Sequence, residues 1–463
     1  MKRIAMVFGQ GGRALFARLA LFARLALFAS RASRVAACAL LAAACLPAHA
    51  QESVTLWHSM GGRNGEALNA LVEQFNAANA GKIKVTAIFQ GPYGDALAKL
   101  KAAIQTKQLP DVVQVNEIGS RLVYDLKITV PFGDLAKGAG LDTNDLLKGI
   151  SAYYTIDGKL LSLPFNASAP MLYYNKNAFR EAGLDPAKPP RTLQELRAAA
   201  EKLVVKQGDR TTRYGFVAVI DGWLMEQFYG RANLEYCNQQ NGRSGLATDV
   251  NWNVPAVGDI VSWWGSIMRD GVGLSAGRQN NDGIAAFTSG RAAMLIFTSA
   301  NMRDMMRESK FEVGVAPYPS PKVGMNGQVL NGGASMWVIK GSQAKQAAAA
   351  RFVAFLGSPE AQANWATRTG YIAVNARAVD LPAFKEAVAK NPEFALPGQA
   401  LSGVASTPAS RGCFMGVMPQ ARQKMNDIIE SVILGRDTPD HALAEGQTAM
   451  AGAIKAYNRA IGR

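Results

Sequence analysis

The stretch Leu160–Leu196, "LLSLPFNASAPMLYYNKNAFREAGLDPAKPPRTLQEL", constrains this chain more than any other. Tyr154, Ile156, Leu160, Leu161 and Leu163 flank the pair Asp157-Gly158, which predicts a tight hairpin. "NASAP" then reads as a short polar break, followed by a second strand over Met171–Tyr174. "NKNAFREAGL" reads as a helix stopped at Gly183, with Pro186, Pro189 and Pro190 beyond it. Thr192 with Glu195 forms a capping box that opens a further helix. An apolar strand leaves one region, passes a few small residues and starts a new αβ region. That pattern predicts a hinge between two lobes.

Upstream, "SVTLW", "KIKVTAIFQG" and "DVVQV" read as strands, separated by amphipathic helices. Leu68, Leu71, Val72 and Phe75 recur at helical spacing. The alternation predicts a parallel sheet covered by helices on both faces. In such sheets ligands sit at the carboxyl ends of the strands. Trp57, Tyr93 and Glu117 fall just after strand ends or at helix starts, and are therefore placed to face a cleft. The glycines at 61, 62 and 65 lead into a helix, which is how a strand turns into one and also a way to hold an anion. Downstream, "VLNGGASMWVI" predicts a return to the first lobe, and Ser342 a helix cap.

The first fifty residues read as an export leader, with a basic start, the apolar run "VAACALLAAACLPA" and the small-x-small ending "AHA". Cleavage is expected before Gln51, with a lipid anchor at Cys45 as the alternative. The unit "LFARLA" occurs twice there. The whole chain carries 50 Lys+Arg against 35 Asp+Glu. Seven of the basic residues lie in the leader, leaving 43 against 35, a modest excess that suits a solvated surface or an anionic ligand. No basic block with interleaved aromatics argues for nucleic acid. After cleavage two cysteines remain, Cys237 and Cys413. An oxidising compartment permits a disulfide, but two free thiols is the plainer reading.

Catalytic options are thin. His58 and His441 have no partners at metal-ligand spacing, so no metal and no cofactor are expected. "GLSAG", Gly273–Gly277, matches the serine-hydrolase pattern. That pattern requires a strand before Ser275 and a helix after it, whereas a helix is expected before it and a polar loop after. An exported hydrolase using Ser275 remains the different-class alternative.

Seven anchors in one order give a resemblance: "LWHSMGG" near Trp57, "GPYGDAL" at Tyr93, "DVVQVNEIGS" at Glu117, "PFNASAP" at Ser168, "NGGASMWV" at Gly333, "TGYIAVN" at Tyr371 and "MGVMPQAR" at Arg422. The chain after residue 50 resembles the extracellular solute-binding proteins of bacterial ABC importers, sugar type, and within them the sn-glycerol 3-phosphate binders. The resemblance implies a two-lobed α/β binding protein (type II, Venus-flytrap), each lobe a mainly parallel sheet flanked by helices. The expected division is a signal peptide over 1–50, a first lobe from 51–165 and 333–380, and a second from 166–332 and 381–463. It implies ligand contacts at Tyr93, Glu117, Ser168, Thr298, Gly333, Tyr371 and Arg422, with Trp223 stacking. Thr298 stands where the family has serine, which leaves Thr298 and Ser299 as alternatives. A phosphorylated polyol suits this set, because an arginine fork matches a phosphate while a carboxylate accepts from a diol. The implied function is periplasmic capture of sn-glycerol 3-phosphate by a monomer that hands it to permease subunits and, through them, an ATPase. A glycerophosphodiester or neutral oligosaccharide is the alternative ligand.

Overall fold

The computed structural model describes residues 51–325, 327–402 and 406–462. The expected leader and Cys45 therefore lie outside the described residues. The chain from Glu52 onward builds two main sheets, of six and five strands, and two small two-stranded ones.

The first sheet starts with β1 (Glu52–His58), β2 (Ile83–Phe89) and β3 (Val112–Asn116), all parallel, as the βαβαβ pattern predicts. β4 (Thr129–Val130) lies at its far edge. The Asp157-Gly158 turn joins β5 (Thr155–Ile156) to β6 (Lys159–Leu160). Both turn residues take positive φ, 50° and 74°, which a two-residue hairpin requires. β7 (Leu163–Ser168) then enters the first sheet, and β8 (Pro170–Asn175) enters the second. "NASAP" is thus strand rather than a polar break, with Ala169 alone between the two strands. Polar residues are tolerated in the buried β7 because Asn166 is hydrogen-bonded on both sides of its amide. Pro170 stands at a strand's first position, where its missing N–H costs least.

The second lobe carries a small hairpin, β9 (Val205–Gln207) with β10 (Arg210–Arg213). Its sheet runs β12 (Gly273–Ser275), β11 (Phe216–Ala218), β13 (Met294–Thr298), β8, then β14 (Val313–Pro317). β15 (Gly332–Ile339) returns to the first sheet between β3 and β4, and also pairs with β7. The two-lobed α/β expectation holds, but the strand directions are mixed. β15 is antiparallel to β3, β4 and β7, and β8 is antiparallel to β13 and β14. The reason is that both enter directly from the other lobe, without the crossover helix that makes neighbours parallel.

The expected caps form. Thr192 accepts from Glu195 N and Ser342 from Lys345 N; Asn175, for which no cap was expected, accepts from Ala178 N. Glu195 reaches back to Arg191 N at 2.7 Å. The helix Gly62–Ala78 buries Leu68, Leu71, Val72 and Phe75, and Phe75 meets Phe352 edge-on at 5.2 Å. In the second lobe Trp264 meets Phe216 and Phe228 in the same way.

Two readings are corrected. Ser275 ends a strand, because β12 pairs with β11, and a helix begins at Asn280. Its Oγ accepts from Gly277 N and the residue is exposed. Cys237 and Cys413 are bonded, with Cα atoms 5.8 Å apart, so the free-thiol reading fails. Their 176-residue separation hides the pairing in the sequence. Around this bridge Gln239, Gln240 and Asn241 all take left-handed φ of 51–57°. Asn241 secures the turn by accepting from Cys237 N and donating to the Pro408 carbonyl. Its own carbonyl accepts from Phe414 N.

Candidate functional site

The two lobes meet at an ion cluster. Arg422 lies in the first turns of the helix Met418–Ile433, and Glu117 follows β3 in a short turn. Arg422 Nη2 donates to Glu117 Oε1 at 2.9 Å across the cleft. Arg422 also grips Glu226 with two bonds, Nε to Oε1 at 2.8 Å and Nη2 to Oε2 at 2.7 Å. All three side chains are at most 15 % exposed. Burial works against the Arg422 charge, but Glu226 and Glu117 outweigh it and hold the guanidinium well above its usual value. Burial also pushes the Glu117 carboxyl up; Arg422 opposes this and Glu226 reinforces it. One guanidinium thus serves two buried carboxylates, leaving a surplus negative charge in low dielectric.

Glu226 was missed in the sequence. Its only signal is position: it lies one turn after Trp223 in the helix Gly222–Ala232, on the same face. That helix is set by Asp221, which caps Trp223 N, and by Asn426, which accepts from Gly222 N. A Cβ on Gly222 would lie 2.8 Å from the Arg422 carbonyl, so the glycine lets the two helices touch.

The first lobe supplies a polar wall. Asn166 Nδ2 donates to Tyr93 Oη at 2.8 Å, and Gln114 Nε2 donates to Asn166 Oδ1 at 2.8 Å. Gln114 is fixed in turn by Ser59 N. Tyr371 stands beside Asn166 and Tyr93. Burial pushes its phenol up, while those two neighbours pull it back. Its ring stacks on Trp365, 5.5 Å between centroids and 14° from parallel. Burial pushes the Tyr93 phenol well up too, with Tyr371 and Glu117 adding to the shift. Neither Asn166 nor Gln114 is singled out in the sequence: Asn166 lies in what reads as a polar break, and Gln114 is one position of the strand "DVVQV".

The crossings hold the remaining candidates. Ser168 is buried at the end of β7, opposite Gly332. Gly333 has φ 104°, and a Cβ there would lie 2.0 Å from the Asn166 carbonyl oxygen. We therefore expect Gly333→Ala to lose about 1–3 kcal/mol from backbone strain alone, read as a lower urea midpoint; a midpoint unchanged from wild type would contradict this. Thr298 ends β13 opposite Pro170, and its hydroxyl accepts from Ala300 N. Ser299 is fully buried and spends its hydroxyl on Ala169 N at the crossing. Thr298 is thus the more accessible hydroxyl of the two. Trp223 packs its ring against Gly332, where a Cβ would lie 2.6 Å away, and its buried Nε1 has no hydrogen-bond partner among the described residues. The structure gathers Tyr93, Glu117, Tyr371 and Arg422 at one lobe junction. Ser168, Thr298, Gly333 and Trp223 lie at the adjoining crossings.

A second support crosses the junction. Tyr153 Oη donates to the Glu117 carbonyl at 2.7 Å. Arg243 donates to the Tyr153 carbonyl at 2.7 Å and lies between the Tyr153 and Phe414 rings, 4.9 and 4.8 Å from their centroids. Burial pushes its guanidinium down to about 10. Among the described residues, no group of three His, Cys, Asp or Glu is placed to hold a metal.

Two layered lobes joined by strand crossings, with buried polar groups at their junction, define a ligand-clamping receptor fold. The chain belongs to the bacterial extracellular solute-binding protein family, whose model matches residues 70–395. It is 32 % identical over 414 residues to the sn-glycerol-3-phosphate-binding periplasmic protein UgpB of Escherichia coli O1:K1, covering 87 % of this chain and 93 % of that one. The Salmonella typhimurium protein of the same name is also 32 % identical, over 86 % of this chain and 91 % of its own. Among solved structures, UgpB from Mycobacterium tuberculosis in complex with glycerophosphocholine superposes with a TM-score of 0.75 at 21 % identity, covering 88 % and 99 % of the two chains. A cyclic maltosyl-maltose binding protein from Arthrobacter globiformis gives 0.71 at 23 % identity, covering 88 % and 100 %. These superpositions carry the fold.

Proposed function

We propose that this protein is the periplasmic receptor of an ABC importer and captures sn-glycerol 3-phosphate between its lobes. One observation carries the reading: Arg422 of the second lobe reaches Glu117 of the first in a buried cluster walled by Tyr93 and Tyr371. The names of the relatives support it. In this reading the glycerol hydroxyls donate to Glu117, and the phosphate takes the Arg422 nitrogen that Glu117 gives up. Tyr93, Asn166, Ser168, Thr298 and Tyr371 supply further hydroxyl and amide contacts, and Gly333 offers its backbone amide at the crossing. Ligand contacts from both lobes favour the closed arrangement over the open one. The chain delivers its ligand to permease subunits, catalyses nothing itself, and works as an exported monomer.

The surplus carboxylate at Arg422 favours a second ligand, a glycerophosphodiester. Its phosphate carries one negative charge where glycerol 3-phosphate approaches two, so it meets less repulsion from Glu226. Calorimetry with glycerol 3-phosphate, glycerophosphocholine and maltose tests both. Binding of either phosphate compound and not maltose supports the site; binding of maltose alone overturns it.

Glu117 offers a test of sign. Its carboxyl is raised in the folded state, so its contribution to stability is full below the ordinary value of 4.5 and is lost as pH rises through the raised value. Glu117→Gln removes that penalty and leaves Arg422 paired with Glu226. We expect the ligand-free variant to unfold at higher denaturant than wild type at pH 7, with the gap shrinking as pH falls toward 4.5. Its affinity for ligand should drop about tenfold or more, since a charged acceptor becomes neutral. A variant less stable at pH 7, or one binding as tightly as wild type, contradicts the assignment.

A further inference from the structure

A cavity of about 660 Å³ shares Tyr371 with the cleft wall, but none of Glu117, Arg422 and Glu226 lines it. This volume falls within the roughly 300–1,000 Å³ of sites that hold small organic ligands. Its walls include Ile372, Phe384 and Val388, with small residues such as Ala366 and Ala373 between them. The helix Pro382–Lys390 that forms one wall has no buried residue, although Phe384 and Val388 turn toward the cavity. Met302 and Arg303 of the second lobe line it as well, and Arg303 marks the end that it shares with an adjoining pocket.

That end is cationic. Arg303 also lines an adjoining pocket with Arg63, Arg307 and Arg368, where Asp304 is the one carboxylate. Arg307 spends itself on Asp304 and Glu308. Arg303 is half-buried, lies 3.7 Å over the Phe394 ring, and donates Nε to the Thr369 carbonyl. It makes no ion pair among the described residues, and burial pushes its guanidinium down. A half-buried guanidinium at the mouth of an apolar slot is stabilised by an anion whose remainder is apolar.

We propose that this cavity is a second binding site, for a single-chain amphiphile with an anionic phosphate head. The chain lies against Ile372, Phe384 and Val388, and the head sits on Arg303 with Arg63 and Arg368 around it. The proposal does not depend on what the Glu117–Arg422 site binds. Because its walls come from both lobes, an occupant bridges them as the cleft ligand does.

Calorimetry with dodecyl phosphate, below its micelle concentration, tests this on the full mature chain. Saturable binding of one molecule is expected, with dodecyltrimethylammonium at least about tenfold weaker and inorganic phosphate unable to compete. Arg303→Ala should weaken dodecyl phosphate about tenfold, Arg303→Lys should retain most of the affinity, and Val388→Trp should abolish binding by filling the slot. The thermal midpoint of each variant, together with its unchanged binding of whichever ligand the cleft takes, checks the fold separately. No binding of dodecyl phosphate overturns the proposal. So does equal binding of the cationic analogue, competition by inorganic phosphate alone, or binding that survives both Arg303→Ala and Val388→Trp.

Discussion

Arg422→Ala is expected to abolish glycerol 3-phosphate binding and to lower the unfolding free energy by about 3–5 kcal/mol. The size follows from what remains. Glu117 and Glu226 would face one another, buried and with no cation between them. A carboxylate left alone in such a place costs far more than an exposed ion pair contributes. Lysine at 422 would restore charge but not the fork that bonds both Oε1 and Oε2 of Glu226, so it should recover stability better than affinity. Calorimetry and urea unfolding on the same samples check both parts. A variant as stable as wild type would mean that the cluster is wetter than its burial indicates.

The second large effect concerns the bridge. Replacing both Cys237 and Cys413 with alanine should lower the unfolding free energy by about 2–5 kcal/mol, because the bridge closes a long loop in the unfolded chain. It should also weaken ligand binding. Phe414, next to the bridge, packs on Tyr124 and Tyr153 of the first lobe and beneath Arg121 and Arg243. Tyr153 in turn holds the turn that presents Glu117. Without the bridge, the left-handed turn at Gln239–Asn241 loses a covalent anchor. Urea midpoints and ligand titrations of oxidised and reduced wild type, beside the double variant, test this. Identical midpoints with and without reductant would contradict it.

Local rules carried much of the fold. The Asp157-Gly158 turn, the Thr192 and Ser342 caps and the apolar face of Gly62–Ala78 are short-range patterns, and each is formed as expected. Long-range facts were less legible. Cys237 and Cys413 lie 176 positions apart, so no local pattern marks them as partners. The antiparallel direction of β15 follows from where the chain re-enters the sheet, which no local period records. Glu117 and Arg422 were readable through the anchors around them. Glu226 and Asn166 were not, because one looks like an ordinary helical acid and the other like a turn residue. Both gain their meaning from partners that lie 196 and 73 positions away.

A crystal structure of the protein grown with sn-glycerol 3-phosphate tests the central claim most directly. Ligand density is expected between Glu117 and Arg422, with their 2.9 Å bond opened, the glycerol hydroxyls on Glu117 and the phosphate on Arg422. Ligand density elsewhere with that bond intact, or a junction that stays empty at saturating ligand, would contradict it.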